Sequence, residues 1–175
     1  ATSVDINMGC PVKKVVGIGG GAAMMTELKK TAALARGMIE AVKIPVTAKM
    51  RLGIRDAGRA IECAQALEAG GAEELVVHGR TKEDGYRPPA RWEWIARVRE
   101  AVRVPVIANG EVWTVADYRA MRAETGCADV MLGRGAVADP FLAARIRSGA
   151  GEGADDWLRI APLILDFWSQ VQGKV

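Results

Sequence analysis

Short apolar runs and longer amphipathic stretches alternate along the chain. Val4, Ile6 and Met8 alternate with Asp5 and Asn7 and predict a first strand, which Gly9 and Pro11 end around Cys10. After a polar gap, Gly19, Gly20 and Gly21 allow the backbone to approach a ligand or RNA closely. Leu28, Ala32, Leu34, Ala35, Met38, Ile39 and Val42 then recur at helical spacing, so a helix is expected over residues 26–42, with Thr26 and Glu27 at its N-cap. Strands are expected at 46–50, 74–78, 104–108 and 129–132, and helices at 56–69, 92–102 and 114–124, where Thr114 and Asp117 are capping candidates. A short helix around 140–146, a Gly-rich link at 149–153 and an apolar helix from Trp157 to about Val171 complete the chain.

Strand and helix alternate five times at the spacing of barrel units, so the sheet is expected to be parallel. Most strands read as apolar throughout, as strands covered on both faces must. A full eight-stranded α/β barrel needs about 250 residues. The chain has 175, which leaves either an open α/β sheet or the C-terminal part of a barrel.

Composition narrows the class further. Net charge is +3 with both signs mixed along the chain, which permits an anionic partner without demanding one. Apolar runs such as residues 160–167 fall well short of the roughly 20 needed to cross a bilayer, and no basic-then-apolar leader opens the chain, so a cytoplasmic protein is expected. The three cysteines Cys10, Cys63 and Cys127 have no zinc or disulfide spacing and read as reduced thiols; Cys63 and Cys127 suit the core.

The strand ends carry the chemistry. They read Asn7 and Cys10, Lys49 and Arg51, His78 and Arg80, Asn109 and Glu111, then Gly133 and Arg134, so one polar site lined from several strands is expected. Lys49 in a buried strand needs an anion or an acceptor beside it, whether a ligand or a structural ion pair. His78, the only histidine, reads equally as structural or ligand-facing. The Gly133-Arg134-Gly135-Ala136 turn offers N–H groups to a phosphate. Cys10 is open to three readings, as a nucleophile, a proton donor or a buried filler; a lone thiol beside Asn7 is able to deliver a proton at neutral pH.

Six ordered motifs resemble those of the tRNA-dihydrouridine synthases: Asp5-Ile-Asn-Met-Gly-Cys-Pro, Gly19-Gly-Gly-Ala-Ala-Met-Met, Lys49-Met-Arg-Leu-Gly, Val77-His-Gly-Arg-Thr, Ala108-Asn-Gly-Glu-Val and Met131-Leu-Gly-Arg-Gly-Ala, with Lys82-Glu-Asp-Gly-Tyr, Trp92 and Trp113 looking most like the bacterial branch acting on uridine 16. The resemblance implies a parallel (β/α)8 TIM-barrel-type α/β fold, FMN as cofactor and NADPH as reductant, with a hydride from reduced FMN to C6 of a flipped-out uracil and a proton from Cys10 to C5. It implies that Lys49, His78, Asn109, Gly110, Glu111, Gly133 and Arg134 hold the flavin, that Asn7 and Tyr86 touch the RNA with Arg80, Thr81 and Lys82 assisting, and that no metal takes part.

The family's opening Met-Ala-Pro-Met-like strand, a flavin-contacting glutamine and most of its helical tRNA-binding domain are not found in these residues. The expectation is therefore a partial barrel, with about five of eight βα units over 1–148, and a linker with the start of the tRNA-binding domain over 149–175. An open sheet edge would need covering. FMN binding by 1–175 alone is expected to be weak or absent, and the full-length protein to be active and monomeric. Two other readings stand beside this one: a different FMN barrel acting on a small substrate, and a non-catalytic RNA-binding fragment.

Overall fold

The structure, a computed structural model, describes residues 1–149 and 157–172. Five strands, β1 (Val4–Met8), β2 (Val46–Arg51), β3 (Glu74–His78), β4 (Val106–Asn109) and β5 (Val130–Met131), form one wholly parallel sheet in chain order. Helices α1 (Lys13–Gly17), α2 (Leu28–Ala41), α3 (Ala60–Gly70), α4 (Trp92–Ala101), α5 (Val115–Thr125), α6 (Arg134–Ala138), α7 (Leu142–Ser148) and α8 (Trp157–Gln172) intervene or follow, and a 3-10 turn (Gly21–Thr26) leads into α2. The expected link at 149–153 lies outside the described residues beyond Gly149; the apolar helix after it is α8.

Alternation within the strands decides what each face does. Ile6, Met8, Ala48, Met50, Leu75, Val77 and Ala108 lie on one face and are almost fully buried among core residues that include Ala35, Cys63, Leu67 and Ile95. Asp5, Asn7, Thr47 and Lys49 alternate onto the other face, where Asp5 and Asn7 are exposed and Thr47 and Lys49 half-buried. The alternation expected in β1 is found, and β2, read as apolar throughout, alternates as well; the polar face of the two leads up to the site. Cross-strand register sets Asn7 beside Lys49, Arg51 beside His78 and His78 beside Asn109.

Local chemistry explains where the elements start. Pro105 has no N–H to give a ladder, and its carbonyl accepts from Leu75 N at 3.0 Å, so β4 begins at Val106 rather than Val104. Helix α5 opens on a complete capping box, with Asp117 N donating to Thr114 Oγ1 at 3.0 Å and Thr114 N donating to the Asp117 carboxylate at 2.9 Å. Thr26 does not cap α2: its hydroxyl donates to Ala23 O at 2.7 Å, closing the 3-10 turn, and Glu27 takes the cap position. The glycine run serves the chain itself. A Cβ on Gly21, whose φ is +54°, would stand 2.6 Å from Cys10 O, and Ala22 N donates to that same carbonyl at 3.0 Å. At Gly21 the close backbone approach is to Cys10 of the same chain, while the space beside Gly19 is open.

Candidate active site

At the C-terminal ends of the strands lies a cleft of about 520 Å³, and its lining brings together Asn7, Cys10, Lys49, His78, Arg80, Tyr86, Asn109, Gly110, Glu111, Gly133 and Arg134. Asn7, Cys10 and Tyr86 thus share one space with all seven residues expected to hold the flavin. Of the expected site residues, Thr81 and Lys82 do not line it.

Each side chain is held by a specific bond. Asn7 Oδ1 accepts from Gly9 N at 3.0 Å and Cys10 N at 3.2 Å, turning the chain so that Cys10 faces the cleft. Lys49 Nζ donates to Asn109 Oδ1 at 2.8 Å, and Asn109 Nδ2 donates to Met131 O at 2.8 Å, tying β2, β4 and β5 together. Trp92 Nε1 donates to Gly110 O at 2.9 Å and fixes the turn after β4. At Glu111 the backbone is left-handed, with φ 62°, uncommon for a residue with a side chain. The Glu111 carboxylate pairs with Arg80, accepts from Trp113 Nε1 at 2.7 Å and lies 3.9 Å from Arg134. Arg134 stands 5.0 Å from the ring centres of both Tyr86 and Trp113.

The loop after β3 holds three of the residues expected to meet RNA, Arg80, Thr81 and Lys82, and packs the first two inside it. Arg80 is 1% exposed; its Nε donates to Arg87 O at 2.7 Å and its Nη1 to His78 Nε2 at 3.4 Å. Thr81 is fully buried, with its N–H donating to the Asp84 carboxylate at 2.8 Å and its hydroxyl accepting from Asp84 N at 3.1 Å. Both residues build the loop, and Arg80 also lines the cleft. Lys82 sits on the same loop, its N–H bonded to Gly53 O at 2.9 Å. Tyr86 is exposed at the rim of the cleft.

Two further cleft residues had no role assigned from sequence. Arg51 is buried, donating from Nε to Gly9 O at 2.8 Å and from Nη1 to Thr81 O and Gly85 O at 3.0 Å each. Its place two residues after Lys49, on the same strand face, was the signal available for it. Trp113 caps the rim through its bond to Glu111.

Electrostatics follow from this crowding. Lys49, Arg51, Arg80 and Arg134 face one another across the cleft, and Glu111 is the single carboxylate among its lining residues. Burial, with Arg51 beside it, lowers Lys49 from 10.5 to about 8, against a smaller opposing pull from Asp5. Burial together with Arg51, Lys49, Arg80 and Arg134 lowers His78 to about 3, so the imidazole is neutral. Because the Arg80 guanidinium only donates, Nε2 of His78 accepts and the ring proton sits on Nδ1. Away from the cleft, burial pushes the Cys63 thiol up to about 12 and raises Cys127 as well, as core thiols should be.

Four cations against one carboxylate call for an anion, and neutral His78 with Lys49 and Asn109 adds donors for a polar ring. The position a Cβ on Gly133 would take has no atom within 4 Å, so a ligand can lie against that backbone. FMN, a planar polar ring with a phosphate, fits this donor set. Among the described residues, no group of three or more His, Cys, Asp or Glu is placed to hold a metal ion, and no helix is long and apolar enough to cross a membrane.

Fold and cleft together define a barrel-type parallel α/β protein with an anion-receiving site at its strand ends. The Amycolatopsis orientalis BexX/CysO complex has a chain of similar fold, with a TM-score of 0.52 and 20% identity over 71% of this chain and 48% of that one. The family model for dihydrouridine synthases matches residues 1–161, and the chain belongs to that family. The tRNA-dihydrouridine(16) synthase of Cupriavidus necator is 56% identical over 98% of this chain and 55% of its own length. That of Ralstonia nicotianae is 50% identical over 98% of this chain and 54% of its own. The chain spans about half the length of these curated relatives.

Proposed function

We propose that the full-length protein is a tRNA-dihydrouridine synthase that reduces uridine 16, the position its relatives are named for, to 5,6-dihydrouridine with FMN and NADPH. The observation that carries the reading is the placement of Cys10 in the same cleft as Lys49, His78 and Arg134. Lys49, His78 and Asn109 hold the flavin ring, and Gly133 and Arg134 its phosphate, with Gly110 and Glu111 shaping the wall between. When bound, the flavin supplies the hydride that goes to C6 of the uracil. The protein's part is positional and protonic. Tyr86 at the rim offers a ring for the extruded base to lie against, and Asn7 fixes the Cys10 loop so that the thiol delivers the proton to C5. Hydride and proton together saturate the C5–C6 double bond, which balances the reaction. Arg134, half-exposed at the cleft, adds attraction for the tRNA backbone.

The protein acts in the cytoplasm as a monomer, with residues 1–148 in the catalytic domain and 149–175 leading into a tRNA-binding domain. Replacing Cys10 with Ala in the full-length protein, in a strain lacking other such enzymes, tests the reading through the dihydrouridine content of purified tRNA. Loss of the modified base is expected; unchanged content would refute the proton-donor assignment, and absence of flavin from the purified wild type would refute the cofactor.

A further inference from the structure

Arg51 touches the chain at two places that the proposed chemistry needs held at a fixed separation. The Gly9 carbonyl that accepts from its Nε belongs to the peptide joining Gly9 to Cys10, and the Gly85 carbonyl that accepts from its Nη1 belongs to the peptide joining Gly85 to Tyr86. A third bond, to Thr81 O, anchors the same guanidinium in the base of the loop that carries Tyr86, and the guanidinium carbon stands 5.5 Å from the Tyr86 ring centre. Gly9 and Gly85 are 76 positions apart in the chain, and no backbone hydrogen bond recorded between their loops joins them directly.

We propose that Arg51 is a positioning residue that locks the Cys10 loop to the Tyr86 loop and so sets where the thiol stands relative to a base lying on that ring. The inference rests on the reading of Cys10 and Tyr86 given above. A guanidinium suits this task because its donors are fixed in one plane and reach separate carbonyls at once, whereas an ammonium is a single point of charge on a flexible stem. The neighbouring buried arginine does different work: Arg80 bonds within its own loop and to Glu111, and it makes no recorded bond to the Cys10 segment. Arg51 is thus the side chain that spans the gap between proton donor and base platform.

The test is Arg51→Lys in the full-length, flavin-loaded protein, compared with wild type on uridine-containing tRNA. Misplacing a reacting group by about 1 Å costs up to about 100-fold in rate. The expected result is a fall in kcat of at least about tenfold with the KM for tRNA changed less than about threefold, since the loops still present their surfaces but no longer in register. Added guanidinium ion should restore part of the rate to Arg51→Ala. Unchanged kcat, or a rise in KM that accounts for the whole defect, overturns the proposal. Failure of both variants to fold also overturns it, because Arg51 is then structural throughout. Hydrogen exchange separates this from the functional reading: in Arg51→Lys, peptides holding the Gly9, Cys10 and Gly85 amides lose protection together. Loosening of one segment alone overturns the coupling even if the wild type proves to have another activity, whereas a wild type that leaves uridine unreduced overturns the functional reading and the kinetic part of this proposal with it.

Discussion

Replacing Lys49 with Met should stabilise the ligand-free protein at neutral pH while weakening its hold on the flavin. The lowering of Lys49 from 10.5 to about 8, caused first by burial and then by Arg51, means that the native state disfavours the ammonium by about 3 kcal/mol relative to the unfolded chain. Methionine is close in length and carries no charge. Its cost is the bond from Lys49 Nζ to Asn109 Oδ1, which leaves a partly buried acceptor unpaired at about 1–2 kcal/mol. The balance at pH 7 is a gain of about 1–2 kcal/mol, or about 2–8 °C in Tm for a chain of this size. The sign changes with pH. Between pH 8 and 10.5 the unfolded chain binds a proton that native Lys49 has lost, so wild-type stability rises through that window and the variant's does not. Above it, only the missing hydrogen bond remains, and the variant should be the less stable by about 1 kcal/mol. Denaturant midpoints of both proteins at pH 7, 9 and 11 measure the difference, in which titrations common to the two cancel. A variant less stable at pH 7, with a difference that stays flat with pH, would refute the idea that burial of the ammonium dominates this site.

Two further outcomes follow from the same geometry. His78 is held near pKa 3 by burial and by the cations around it, so stability is complete above its ordinary value of 6.5 and is lost at up to about 1.4 kcal/mol per pH unit on acidification from 6.5 towards 3; His78→Gln should flatten that limb in melts taken from pH 7 to 4. A Cβ on Gly135 would lie 2.0 Å from Val112 O, so Gly135→Ala must displace the turn that carries Glu111 and Trp113, lowering stability by about 1–3 kcal/mol and changing Trp113 fluorescence; an unperturbed melt would mean that the turn yields freely.

What the sequence disclosed was set by how local the signal is. The third strand is found over Glu74–His78 as expected, because its apolar run is bounded by Gly71 on one side and Gly79 on the other. Helix α3 starts at Ala60, not near Asp56, because the Asp56 carboxylate accepts from Gly58 N at 2.8 Å and holds a turn there. Helices α1 and α6, five residues each, are too short to show a stripe and have no side-chain cap. The site residues on strands were legible because alternation places Asn7, Lys49, His78 and Asn109 on one face. The burial of Arg80 and Thr81 was not, since it depends on Asp84, Arg87 and Glu111 folding over them from the same loop and from the turn after β4. A motif identifies such residues as belonging to the site without saying which way they point.

The same distinction divides the labour among the four cleft cations. Arg51 and Arg80 are almost wholly buried; Arg51 donates to three backbone carbonyls, whereas Arg80 donates to one carbonyl and to His78 Nε2 and pairs with Glu111. Glu111 compensates the charge of Arg80 at short range and carbonyl dipoles solvate that of Arg51; removing either side chain leaves a backbone carbonyl without its donor, so their effect is on the shape of the loops. Lys49 and Arg134 differ. Among the described residues Lys49 donates one hydrogen bond, to a neutral amide, and Arg134, with a side chain 47% exposed, lies 5.0 Å from two ring centres and 3.9 Å from the carboxylate it shares with Arg80. An incoming phosphate or anionic ring therefore gains most from Lys49 and Arg134, and loses least in displacing their present partners. Charge removal at these two positions should act on ligand affinity with strong salt dependence at the exposed Arg134 and weak dependence at the buried Lys49, because mobile ions screen the first and not the second.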